Sequence, residues 1–154
     1  MELYHFTEKM FTLDRTRKYE PRTPLFPMKP GGLWLSDESD YGWKAWCEAE
    51  SFGSLAHVYK CIVNMEDILH LSTSKELEDF THQYPFVFAD PRFKKLNYFK
   101  EQIDWVKVMK TYTGIVITPY VYESRFTLMW YYVWDCASGC VWNLDAIESI
   151  DLVN

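Results

Sequence analysis

A chain of 154 residues with 48% hydrophobic and 18% aromatic content can bury a sizeable core, but it is too short for two comfortable domains. Its formal net charge of −6 argues against a general affinity for nucleic acid or an anionic membrane. No apolar run approaches the ~18 residues of a membrane span. The opening MELYHFTEKM carries acids rather than the apolar stretch of a secretory signal, so a cytoplasmic location is expected.

In chain order, LYHFT (3–7) reads as a first strand. Residues 14–32 hold four prolines and two glycines and predict a long irregular loop of the kind that often carries function. LWLS (33–36) predicts a second strand. SDYGWKAWCEAESF (39–52) fits a helix: Trp43, Trp46 and Glu50 fall at helical spacings, Ser36 or Ser39 can cap it, and Gly53 ends it. HVYKCIVNM (57–65) alternates with period two, a strand with one wetter side. ILHLS (68–72) is a further short strand. TSKELEDFTHQ (73–83) opens on Thr73 and Glu76, the spacing of a capping box.

FVFADPRF (86–93) has turn character. Leu96, Phe99, Ile103, Val106 and Met109 then recur at three and four, which predicts an amphipathic helix with lysines outside. The basic run RFKKLNYFK (92–100), with Lys107 and Lys110, reads as the solvated face of that helix, or as a docking surface for a nucleic acid or an acidic protein. GIVITPY (114–120) predicts a buried strand ended by proline. FTLMWYYVWD (126–135) is apolar on both faces and predicts a second buried strand, which CASG turns and CVWNL continues. DAIESIDLV (145–153) closes the chain. The expected fold is a single α+β domain with a twisted, mainly antiparallel split sheet and inserted helices.

The four cysteines do not form the two close pairs of a zinc site, and His57 and His70 are not spaced to complete one. They are read as small buried thiols, with no metal expected. P-loop, dinucleotide-fold, nucleophile-elbow and zinc-protease motifs are missing from the sequence. The remaining candidates are polar residues at strand ends: His5, Ser36, Glu123, Arg125 and Asp135. Each has a structural reading as well. His5 suits a strand histidine with a hydrogen-bond partner, Ser36 a helix cap, and Asp135 a turn acid before CASG. Glu123 and Arg125 suit an exposed loop.

LYHFT, the loop leading into GGLWLSDES, and late strands bearing an acid together resemble the ADP-ribosyltransferase family, small phage members included. The resemblance covers most of the chain as a pattern of elements. It implies an ADP-ribosyltransferase-like fold and NAD as substrate. It also implies a macromolecular target, a protein side chain or a nucleobase, with protein ranked ahead of nucleic acid. On this resemblance His5 and Thr7 of the first strand contact the NAD ribose and amide region. Ser36 stands beside the nicotinamide, and Trp34 sandwiches that ring. The catalytic acid is Asp135, with Glu123 as the alternative. Two departures stand out: the tyrosine usual in the second motif is replaced by WLS, and the acid precedes the closing strand by several residues. A non-catalytic binding module on the same scaffold is the competing expectation, and RNA 2′-phosphotransfer, a related NAD-consuming chemistry, is a third.

Overall fold

The computed structural model describes residues 1–20, 29–53, 55–88, 92 and 101–153. Among the described residues seven strands and three α-helices follow one another along the chain: β1 Glu2–Thr7, β2 Leu33–Ser36, α1 Trp43–Glu50, β3 His57–Val63, β4 Ile68–Leu71, α2 Ser74–Gln83, α3 Trp105–Thr111, β5 Gly114–Ile117, β6 Ser138–Val141 and β7 Ile147–Leu152. The strands form one sheet in the order β4-β5-β6-β2-β1-β3-β7. Only β4 and β5 pair in parallel; the other five pairings are antiparallel. The architecture is α+β.

A split sheet is expected from the sequence, and the observed sheet is continuous but narrowly joined. β1 runs against β3 through six residue pairs, from Glu2↔Ile62 to Thr7↔His57. It meets β2 through one, Tyr4↔Ser36. Beyond that pair the two central strands part.

Strand alternation sorts the core into two layers. Ile115, Ile117 and Cys140 face a cluster with Phe80, Trp105, Trp130, Tyr131 and Trp134. Val116 and Val141, one position on, face Leu3, Leu33, Leu35, Cys61 and Ile147. Gly139 is required in β6, because a Cβ there would lie 2.7 Å from the Ile115 carbonyl oxygen of β5.

The helix starts follow capping chemistry. Thr73 and Glu76 form the complete capping box of α2. α1 has glycine at its cap position, but Ser36 supplies the oxygen, accepting from the Trp43 N–H at 2.6 Å. α3 begins later than the apolar spacing predicts. Ile103 bridges to Pro85, and the Asp104 side chain caps the helix at Lys107. Leu96, Phe99 and most of the basic run lie outside the described residues, as do residues 21–28 of the proline-rich loop.

The predicted strand over 126–135 is replaced by two 3₁₀ turns, Tyr122–Phe126 and Tyr131–Val133. β5 pairs directly with β6, so residues 118–137 leave the sheet between them. That excursion drops Trp130, Tyr131 and Trp134 into the first layer, each fully buried. An unbroken apolar run has no period with which to choose strand over turn. No helix among the described residues is long and apolar enough to cross a membrane.

Candidate functional site

The parting of β1 and β2 leaves a hollow of about 290 Å³. Tyr4, His5 and Phe6 border it from β1, and Trp34, Leu35 and Ser36 border it from β2. Trp43 of α1 closes one side; Asp135, Cys136 and Ser138, where the chain enters β6, close another; Lys29 reaches in from the segment before β2. Four of the residues singled out in the sequence thus meet around one space: His5, Trp34, Ser36 and Asp135. Thr7 pairs with His57 farther along β1, and Glu123 is exposed on the first 3₁₀ turn; neither is among the described residues lining the hollow.

Each of the two central strands borders this space with residues from both of its faces. Tyr4 and Ser36 are cross-strand partners, so Tyr4, Phe6, Trp34 and Ser36 share one side of the sheet. His5 alternates to the side of Leu3 and Leu35. Its ring lies 4.7 Å from that of Phe11, and Nδ1 donates to the Trp34 carbonyl oxygen at 3.0 Å. In the neutral tautomer set by that bond, Nε2 is left as an acceptor. Burial lowers the His5 pKa, against a smaller opposing effect of the Trp34 carbonyl. The imidazole therefore bridges the two strands where the backbone ladder has stopped.

Ser36 is saturated. Besides capping α1, it donates to Glu38 Oε1 at 2.5 Å. Trp34 is half-buried, with its ring 4.8 Å from that of Trp134 in an edge contact. Burial pushes the Cys136 thiol up to about 12, which disfavours its thiolate.

Asp135 is held by charge. Arg125 Nη2 lies 3.6 Å from Oδ1, and Lys29 Nζ lies 3.6 Å from Oδ2. The two cations differ in setting. Arg125 is 20% exposed, sits over the Tyr132 ring at 5.2 Å and donates to the Tyr132 carbonyl at 3.2 Å. Lys29 is 37% exposed, and its ammonium lies over the Trp34 ring at 5.0 Å. Arg125 thus backs the carboxylate, while Lys29 covers it from the hollow. Tyr120, whose hydroxyl donates to the Trp134 carbonyl at 2.7 Å, pins the segment from below.

Sequence reasoning misses Lys29 and Tyr4, and reads Trp43 as a core residue ahead of a ligand platform. Lys29 lies in a proline-rich stretch without periodicity, and a tryptophan at helical spacing is more often core than platform. No protein-family model, curated protein or solved structure matches this chain. Among the described residues no group of three or more His, Cys, Asp or Glu side chains is placed to hold a metal ion.

Proposed function

We propose that the protein binds NAD in this hollow and transfers the ADP-ribosyl group to a macromolecular target, a protein rather than a nucleic acid. One observation carries the reading: an aromatic face, Trp34, and a carboxylate, Asp135, border the same hollow and share a cation. Oxidised nicotinamide is a flat cation joined to ribose. A ring on Trp34 would bring its ribosyl carbon toward Asp135.

In the transfer the bond from ribose C1′ to the nicotinamide nitrogen breaks and the electron pair leaves with nicotinamide. The positive charge that develops on the sugar is met by the Asp135 carboxylate. A lone pair on the target then forms the new bond to C1′, and the target loses a proton. Arg125 holds the carboxylate in place from behind. The volume is near the lower end of ligand pockets, roughly 300 Å³. It suits the nicotinamide and its ribose, with the adenosine half lying across the mouth toward β1 and His5. Beside Asp135 the segment after Tyr120 exposes Tyr122, Phe126 and Tyr132, an apolar surface suited to a protein target.

The test is incubation of the purified protein with labelled NAD and a cell lysate, with Asp135→Asn in parallel. Nicotinamide release and label transfer that vanish in the variant are the expected outcome. Absence of both in the wild type rules the reading out.

A second reading is favoured by the structural engagement of the site's polar side chains. Ser36, His5 and Asp135 each already have structural partners. On that reading the protein holds a nucleotide without reacting, and Asp135→Asn leaves affinity nearly unchanged.

A further inference from the structure

The hollow has the makings of a cation cage. Tyr4, Phe6, Trp34 and Trp43 supply aromatic surface, and Asp135 supplies one negative charge. Aromatic walls with a nearby carboxylate favour a poorly hydrated, delocalised cation over a neutral ring of the same shape. That cage is filled by the protein's own chain: the Lys29 ammonium satisfies both halves at once, 5.0 Å above the Trp34 ring and 3.6 Å from Asp135 Oδ2.

We infer that Lys29 is a built-in competitor for a cationic ligand group, an ammonium that occupies the Trp34–Asp135 position in the free protein and is displaced by an incoming pyridinium. The inference deepens the proposed function, taking oxidised nicotinamide as the cation, but the contact it rests on is independent of any reaction. A lysine suits the part. Its ammonium is strongly hydrated and sits on a flexible four-carbon stem, so release into water is inexpensive. Arg125 remains behind the carboxylate after Lys29 leaves, so Asp135 is not stranded without a cation. The same displacement uncovers the Trp34 face and the Oδ2 oxygen together, which makes the carboxylate available only when a cation has arrived.

The opposite role for Lys29, a clamp for a ligand phosphate, predicts the opposite sign, so one variant separates them. The probe is the 1-methylnicotinamide cation, with neutral nicotinamide as control. Binding is followed by quenching of tryptophan fluorescence and checked by calorimetry. The wild type is expected to prefer the cation. Lys29→Met keeps the apolar stem and removes the charge; it is expected to tighten cation binding by about three- to tenfold and leave neutral nicotinamide nearly unchanged. Lys29→Arg, which restores a cation, is expected to return to wild-type affinity. Asp135→Asn is expected to abolish the preference for the charged probe.

Cation affinity that is unchanged or weakened in Lys29→Met overturns the inference. Nicotinamide release from NAD is measured on the same samples. Tightening without release in any variant upholds the competitor and refutes the transferase. Release without tightening refutes the competitor and upholds the transferase.

Discussion

Two aspartates stand at the facing ends of neighbouring strands and are treated in opposite ways. Asp37 follows β2 and is 5% exposed. Its carboxylate accepts from the Thr118 hydroxyl at 2.7 Å, the Ser39 hydroxyl at 2.6 Å and the Ser39 N–H at 2.9 Å, and its own N–H donates to the Ala137 carbonyl. Asp135 precedes β6, keeps 26% of its side chain exposed and is held by two cations at 3.6 Å rather than by short directional bonds. Short neutral donors close a corner of the fold; longer ionic contacts hold a charge in place while leaving its oxygens exchangeable. Asp37 ties β2 to the segment after β5, and Asp135 faces a hollow.

The widest separation between the two is expected from their removal. Asp135→Asn should lower nicotinamide release by about 10²- to 10³-fold, the scale on which a charge-stabilising group at a reaction centre acts. Its melting temperature should shift little, since partly exposed ion pairs contribute about 0–1 kcal/mol. Steady-state kinetics with a thermal melt on the same sample reads both. A variant that loses several degrees would make Asp135 a structural acid like Asp37.

Asp37→Ala is the converse. It strands the hydroxyl of buried Thr118 and turns the donors of exposed Ser39 over to water, and hydrogen bonds to a charged group are worth about 1.5–3 kcal/mol each before relaxation. A loss of about 2–4 kcal/mol is expected in urea unfolding, with the slope of the transition unchanged. The acid limb of stability should change as well. Burial disfavours the Asp37 charge, but the bonds from Ser39 and Thr118 outweigh it and hold its pKa below the ordinary value. Its contribution is complete above that ordinary value and lost as pH falls through the lowered one, so wild type and Asp37→Ala should converge below about pH 4.

Arg125 tests whether the difference between the acids depends on what stands behind Asp135. Arg125→Met keeps the stem over Tyr132 and removes the cation at 3.6 Å. Turnover should fall by about tenfold through kcat, with KM little changed, because the carboxylate loses its position rather than its access to ligand. A fall carried by KM would place Arg125 in ligand binding instead.

Legibility in the sequence follows the same division between closed and open structure. β3 shows itself by alternation, with Tyr59, Cys61 and Val63 buried and Val58, Lys60 and Ile62 partly exposed. α2 shows itself by its capping box, because a cap is a local event. The run from Phe126 to Asp135 misleads, because Trp130, Tyr131 and Trp134 are large enough to fill a layer from a turn, and nothing polar marks which face is which. The single join between β1 and β2 is invisible locally, since LYHFT and LWLS look able to pair along their length. That join makes the hollow. His5, Trp34, Ser36 and Asp135 are noticeable as polar or aromatic residues at strand ends, but Lys29, which sits among prolines, becomes significant only through contacts with residues five and more than a hundred positions away.

The smallest expected effect concerns His5, the residue that spans the parted strands. Burial against Phe11 and the opposing Tyr59 lowers its pKa, and the Trp34 carbonyl only partly offsets this. The folded protein therefore prefers the neutral ring, while the unfolded chain takes up a proton near pH 6.5. Stability linked to His5 is complete above that pH and is lost as pH falls below it toward the folded value. His5→Gln keeps a donor for the Trp34 carbonyl and removes the titration, so the difference in melting temperature between wild type and variant should shrink or reverse from pH 7 to pH 5. The carboxylates and the other histidines titrate in both proteins and cancel in that difference. Parallel curves would mean that the imidazole is solvated in the folded state, and would leave the seam between β1 and β2 held by Tyr4 and Ser36 without the help of the side chain beside them.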